Sequence, residues 1–248
     1  MVDSLGHRKK FAVIAPSTNT SVQPEFDAMA PPGVTNHMSR IFIPDMAVNN
    51  DEDFSELVRL IEIAQDEAVE SVKTCSPDYL VMGMSAETFW EGRGGSERLQ
   101  KHMEELSGVG VAMGSDATQA ALKACGGIRR IAVISPYMPV GDKQVRGFFE
   151  DVGFDVKVVH GLKCKSPTLI AHVSEDELRD AIVEVDGDDV DAIVQVGTNL
   201  AMARLAGVAE EWLQKPVIAI NTATYWYALR QNGIDDKVSG FGSLLTLH

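Results

Sequence analysis

Short apolar runs alternate along this chain with longer segments whose apolar residues recur at helical spacing. Phe11-Ala12-Val13-Ile14-Ala15 reads as a buried strand stopped by Pro16, and Arg40-Ile41-Phe42-Ile43 as a second strand ended by Pro44. Residues 53–73 then place Leu57, Leu60, Ile61, Ala64, Ala68 and Val72 on one face of a helix. The pattern continues with a strand at 79–82, a helix over 96–106, a strand at 109–112 and a helix over 117–124 closed by Gly126-Gly127. The second half predicts strands at 131–134, 156–159, 192–196 and 217–220, alternating with helices over 142–152, 175–185, 201–213 and 223–232.

The two halves also share local sequence. Phe11-Ala12-Val13-Ile14-Ala15-Pro16 pairs with Ile131-Ala132-Val133-Ile134-Ser135-Pro136, and Asp78-Tyr79-Leu80-Val81 with Asp191-Ala192-Ile193-Val194. Gly114-Ser115-Asp116-Ala117-Thr118 resembles Ile220-Asn221-Thr222-Ala223-Thr224. An internal repeat of strand–helix units implies parallel sheets covered on both faces. The expected fold is α/β, with two pseudo-symmetric Rossmann-like lobes. Each lobe is a four-stranded parallel sheet flanked by helices, and the active site lies in the cleft between them. The expected lobes are residues 1–118 and 119–224, with a tail over 225–248 that packs back on the first.

Composition narrows the partners. The formal net charge of −14 disfavours nonspecific binding to nucleic acid or anionic lipid. It leaves room for a small anion, because a site can be locally rich in N–H donors, and for a homo-oligomer. No apolar run approaches the ~20 residues of a membrane span, and the polar start has no signal-peptide core. Three cysteines, Cys75, Cys125 and Cys164, show no metal or redox spacing. A reducing cytoplasm is the simplest expected compartment.

Ligands of such folds bind beyond the carboxyl ends of the strands. Those ends carry Ser17 and Asn19, then Gly83, Met84, Ser85 and Glu87, then Ser115 and Asp116. The second half offers Tyr137, then Gly197, Thr198 and Asn199, then Asn221. Small residues let a ligand reach backbone N–H groups, and helix N-termini favour carboxylates. The same Ser, Thr, Asn and Asp residues also serve as helix caps, a role that does not exclude ligand binding.

Pro16-Ser17-Thr18-Asn19-Thr20, Met82-Gly83-Met84-Ser85, Ser135-Pro136-Tyr137 and Gly240-Phe241-Gly242 together resemble the aspartate/glutamate racemase superfamily, in its maleate isomerase and arylmalonate decarboxylase branch. The resemblance runs from about Phe11 to Gly242. It implies a cofactor-independent enzyme, needing no metal, that acts on a small carboxylic or dicarboxylic acid. It further implies one or two cysteines at the equivalent third-strand ends. Here those positions are Gly83 and Gly197. The resemblance therefore points away from thiol chemistry, toward a decarboxylase, isomerase or hydrolase working through an oxyanion-binding shell.

In that reading the substrate-binding residues are Ser17, Asn19, Gly83, Met84, Gly197, Thr198, Asn199 and Asn221. The catalytic set is Asp116, Tyr137 and Ser85, with Asp116 preferred as acid/base over Glu87, His160 and His172. Lys163 and Lys165 would favour a lowered pKa for Cys164, although its position reads as a surface loop. A non-catalytic carboxylate-binding protein stays open as the alternative. A nucleotide-dependent enzyme is weaker, because Gly92-Arg93-Gly94-Gly95 fits neither a phosphate loop nor a dinucleotide fingerprint.

Overall fold

A computed structural model describes residues 3–248. The first half contains β1 (Lys9–Pro16), α1 (Val22–Met29), β2 (Val34–Ile41), α2 (Asp51–Lys73), β3 (Tyr79–Met82), α3 (Gly92–Ser107), β4 (Val111–Ala112) and α4 (Gly114–Cys125). The second contains β5 (Arg130–Ser135), α5 (Pro139–Asp151), β6 (Asp155–Gly161), α6 (Glu175–Val185), β7 (Ala192–Gln195), α7 (Ala203–Leu213), β8 (Val217–Ala219), α8 (Ile220–Gln231) and α9 (Ser243–Leu247). Two all-parallel sheets result, ordered β2-β1-β3-β4 and β6-β5-β7-β8. The identical order is the structural form of the sequence repeat.

Burial explains which runs were easy to read. The central strands β1 and β5 are covered on both faces, so Phe11–Ala15 and Ile131–Ile134 form uninterrupted apolar cores. The edge strand β2 differs from expectation. It spans Val34–Ile41, six residues upstream of the predicted start, and its sequence VTNHMSRI is mostly polar and half-buried. An edge strand pairs on one side only and needs no continuous apolar run. The apolar cluster read as that strand lies beyond it, where Phe42 is 78% exposed and Ile43 is buried. Helices α1 and α9 escaped the periodicity because they span only 8 and 5 residues.

The helices that follow the fourth strand of each sheet, α4 and α8, pack together across the two halves. Helix α8 packs against α1, β3, β4 and α4, and α4 in turn packs against β8 and α9. The lobes are also joined by buried polar contacts. The Thr198 hydroxyl donates to the Gly83 carbonyl at 3.0 Å and accepts from Asn19 Nδ2 at 3.1 Å. Asn199 Oδ1 accepts from the Thr20 N–H at 2.9 Å, and the Ser21 hydroxyl donates to the Asn199 carbonyl at 2.9 Å. Glu25 on α1 accepts from the Ala203 N–H at the start of α7 and from Asn221 Nδ2. No described helix is long and apolar enough to cross a membrane.

Candidate active site

The carboxyl ends of β1, β3, β5 and β7 meet around one cavity of about 70 Å³ that opens to solvent. Its polar rim comes from Asn19, Ser85, Glu87, Tyr137, Thr198 and Asn199. Its apolar wall comes largely from Phe54, Leu57, Val58 and Ile61 of α2, with Ile43 and Ile170. No lysine, arginine, histidine or cysteine lines it.

Local structure fixes each rim residue. Asn19 Oδ1 accepts from the Ser21 and Val22 N–H groups, which closes the turn after β1 and starts α1. After β3, the backbone and hydroxyl of Thr88 both donate to the Ser85 carbonyl. That bond folds residues 87–89 into a single 3₁₀ turn. The Tyr137 ring packs on Phe54 of α2, with centroids 5.2 Å apart, and its backbone N–H donates to the Ser135 hydroxyl. Across the cleft, Ser85 Oγ and Tyr137 Oη lie 2.8 Å apart and form one hydrogen bond in which either hydroxyl can donate. Burial drives the Tyr137 pKa up, so the phenol keeps its proton and can donate a hydrogen bond to an oxyanion.

Two kinds of polar group at this cavity lack partners. The backbone N–H groups of Met84, Ser85, Thr198 and Asn199 meet no acceptor among the described residues. Both carboxyl oxygens of Glu87 are buried without a hydrogen bond. Burial raises the Glu87 pKa to about 7, its own backbone N–H opposes that weakly, and the charge of Glu62 adds to it. Buried polar groups are paired in the great majority of proteins, so such a cluster marks a place for water or a ligand.

Of the residues expected from sequence, Asn19, Met84, Ser85, Tyr137, Gly197, Thr198 and Asn199 come together around this cavity. Gly83 sits one residue behind it and offers its carbonyl to Thr198. Ser17 is exposed and exchanges bonds with the backbone of Ile43. Asn221 is held behind the rim by Glu25 and the Thr198 carbonyl. Asp116 does not line the cavity. It lies in the first turn of α4, where burial and the charges of Glu97 and Glu104 on α3 raise its pKa to about 6. The start of α4 does reach the rim, since a Cβ at Gly114 would lie 3.6 Å from Ser85 Cβ, but the Asp116 carboxyl lies where Glu97 and Glu104 of α3 act on it and outside the cavity lining. His160 pairs with Glu184 away from the cavity, and His172 does not line it. Of the two acidic residues weighed from the sequence, Glu87 lines the cavity and Asp116 does not. The α2 wall was legible only as an amphipathic stripe, and nothing in the stripe separates core from cavity.

Both glycines at the third-strand ends sit where a side chain would be crowded, and Gly197 also adopts a backbone conformation that favours glycine. Gly197 has φ +92°, and a Cβ there would fall 2.4 Å from Pro136 Cδ and Cγ. A Cβ at Gly83 would come within 2.7 Å of Val22 Cγ1 and 3.0 Å of the Ile14 carbonyl. The three cysteines lie elsewhere. Burial pushes the Cys125 and Cys164 thiols up to about 11, so the lysines beside Cys164 do not activate it.

The arylmalonate decarboxylase family model matches residues 12–245. The chain belongs to the arylmalonate decarboxylase family. It is 24% identical over 249 residues to a maleate isomerase of Alcaligenes faecalis, covering 94% of each chain. A maleate isomerase of Pseudomonas putida is 23% identical over 250 residues, covering 94% of this chain and 95% of the relative. The fold of this family member superposes on Nocardia farcinica maleate cis-trans isomerase, solved as a cysteine-to-serine variant with a covalently bound succinylcysteine intermediate. The TM-score is 0.88 at 21% identity, over 97% of this chain and 99% of the other. A crystal structure of arylmalonate decarboxylase superposes with a TM-score of 0.77 at 18% identity, over 95% and 98% of the two chains.

Proposed function

We propose that this chain transforms a small carboxylic acid in the cavity between its lobes, without a thiol and without an added cofactor. Family membership makes it an isomerase- or decarboxylase-type enzyme. One observation supports the thiol-free reading: residues whose backbone N–H groups have no protein acceptor line a cavity that no cysteine lines. A substrate carboxylate would accept from the backbone N–H groups of Met84, Ser85, Thr198 and Asn199 and from the Ser85–Tyr137 hydroxyl pair. These donors are fixed before substrate arrives, so they stabilise an enediolate more than they stabilise the ground state. Neutral N–H dipoles, rather than an arginine or lysine, would hold the anion. The apolar α2 wall suits a hydrocarbon substituent.

The maleate isomerase relative with its succinylcysteine represents chemistry this chain would have to replace. Glycine stands at both third-strand ends, where a side chain would press on Val22 at Gly83 and on Pro136 at Gly197, so neither Gly83 nor Gly197 supplies a thiolate. What remains is proton transfer and oxyanion stabilisation. Incubating the purified protein with maleate, phenylmalonate and related diacids, and following substrate signals by NMR without added cofactor, tests the proposal. Turnover that persists after thiol alkylation is expected. Turnover abolished by alkylation and protected by substrate would contradict it.

A further inference from the structure

Glu87 is the one ionisable side chain at the rim whose oxygens have no partner. It is 3% exposed and forms no ion pair with any described residue. Its place is not a packing accident, because the turn that carries it is locked on both sides. Thr88 ties that turn to Ser85, and Phe89 packs against Phe148 and Phe149 of α5. The turn therefore fixes Glu87 in the wall of the cavity that Ser85 and Tyr137 also line, with its carboxyl near enough for its charge to act on Tyr137.

Resting on the carboxylate reading above, we propose that Glu87 is the proton-transferring acid of this cavity, delivering its proton to the α-carbon of the bound substrate. In a decarboxylation, the bond from the α-carbon to one carboxyl group breaks and carbon dioxide leaves. The bonding pair passes into an enediolate held by the N–H and hydroxyl donors. The Glu87 O–H bond then breaks, and its proton and that electron pair form the new C–H bond. Water returns a proton to the Glu87 carboxylate, which closes the cycle.

The surroundings suit that role. A pKa near 7 keeps the group protonated yet able to release its proton at neutral pH. Glu62 on α2 is the charged neighbour that acts on it, and Tyr137 is the titratable group that feels its charge from the start of α5. No charged group of α3, α4 or α5, the helices packed against the turn, contributes to its shift. A carboxyl without a cation partner is a poor structural tie and a suitable acid.

The test uses phenylmalonate as probe, with carbon dioxide loss followed by NMR from pH 5.5 to 8.5 in the native protein, Glu87→Gln and Glu87→Asp. The expected result is a fall in kcat of roughly a hundredfold or more in Glu87→Gln with KM little changed. Native kcat should decline above pH 7 as the acid ionises. Glu87→Gln should lose that dependence, and Glu87→Asp should recover part of the rate. Melting curves come first; should Glu87→Gln fail to fold, Glu87→Leu serves as the proton-free variant. Native turnover that survives in Glu87→Gln with an unchanged pH profile overturns this inference alone. A native protein inert toward phenylmalonate, and toward α-deuterium exchange of phenylacetate, overturns the carboxylate reading and this inference with it.

Discussion

The loops after β3 and after β7 occupy equivalent places in the two halves, yet they hold their polar side chains in opposite ways. After β7, the side chains are committed to structure. Thr198 bonds Gly83 and Asn19, and Asn199 bonds Thr20, Pro167 and Thr18. After β3, Ser85 bonds only the Tyr137 hydroxyl through its side chain, and Glu87 bonds nothing. The second loop fastens the lobes together. The first is left under-satisfied in the wall of the cavity, the condition under which a polar group is both costly to stability and available for chemistry. A repeat thus carries one arm whose polar side chains are tied into the contact between the halves and one whose polar side chains are left largely unpaired.

Paired variants should separate the two arms most strongly. Tyr137→Phe removes one donor and keeps the ring on Phe54. Catalytic efficiency should fall about a hundredfold or more, while stability changes by about 1 kcal/mol. Asn199→Ala should do the reverse, because it leaves the Thr20 N–H and the Pro167 carbonyl unpaired. A loss of about 1–3 kcal/mol in chemical denaturation is expected, with efficiency within about tenfold of native once the protein is folded. Equal losses of rate in both variants would erase the distinction between the loops.

A smaller effect concerns stability and pH. Folding raises the Glu87 pKa from 4.5 to about 7, so the folded chain holds a proton that the unfolded chain releases in that window. The ionisation penalty is absent below pH 4.5 and complete above pH 7. Glu87→Leu removes it. The stability gap between Glu87→Leu and native should therefore widen from pH 5 to pH 8, by on the order of 3 kcal/mol. Glu25, also raised to about 7 by burial, is present in both chains and cancels. Thermal melts at the two pH values measure the gap. A gap equal at both would mean that Glu87 carries no raised pKa. A variant that gains stability as it loses turnover is what a functional carboxyl predicts, and a structural one does not.

Much of this architecture could be read from the residues. Doubly covered strands print themselves as apolar runs, so Phe11–Ala15, Ile131–Ile134 and Ala192–Gln195 were plain. The polar edge strand β2 was not, because half-buried positions tolerate Thr, Asn, His and Ser. The strand-end rule brought Asn19, Ser85, Tyr137, Thr198 and Asn199 to one cavity. It could not rank Asp116 against Glu87, since both follow strands by a few residues. What separates them is the direction a turn takes. The 3₁₀ turn locked by Thr88 holds Glu87 at the cleft, whereas the first turn of α4 carries Asp116 toward α3. Nor could spacing say which amides of the rim were already used. That depends on contacts such as Asn19 to Thr198, 179 positions apart.

Mapping a bound acid onto the backbone tests the central claim most directly. Phenylacetate titrated into ¹⁵N-labelled protein reports every amide near the ligand. The largest shifts are expected at Met84, Ser85 and Glu87 on one side and at Thr198 and Asn199 on the other. Shifts centred on Ser115 and Asp116, with the amides of Met84, Ser85, Thr198 and Asn199 unmoved, would place the ligand at α4 and contradict the account.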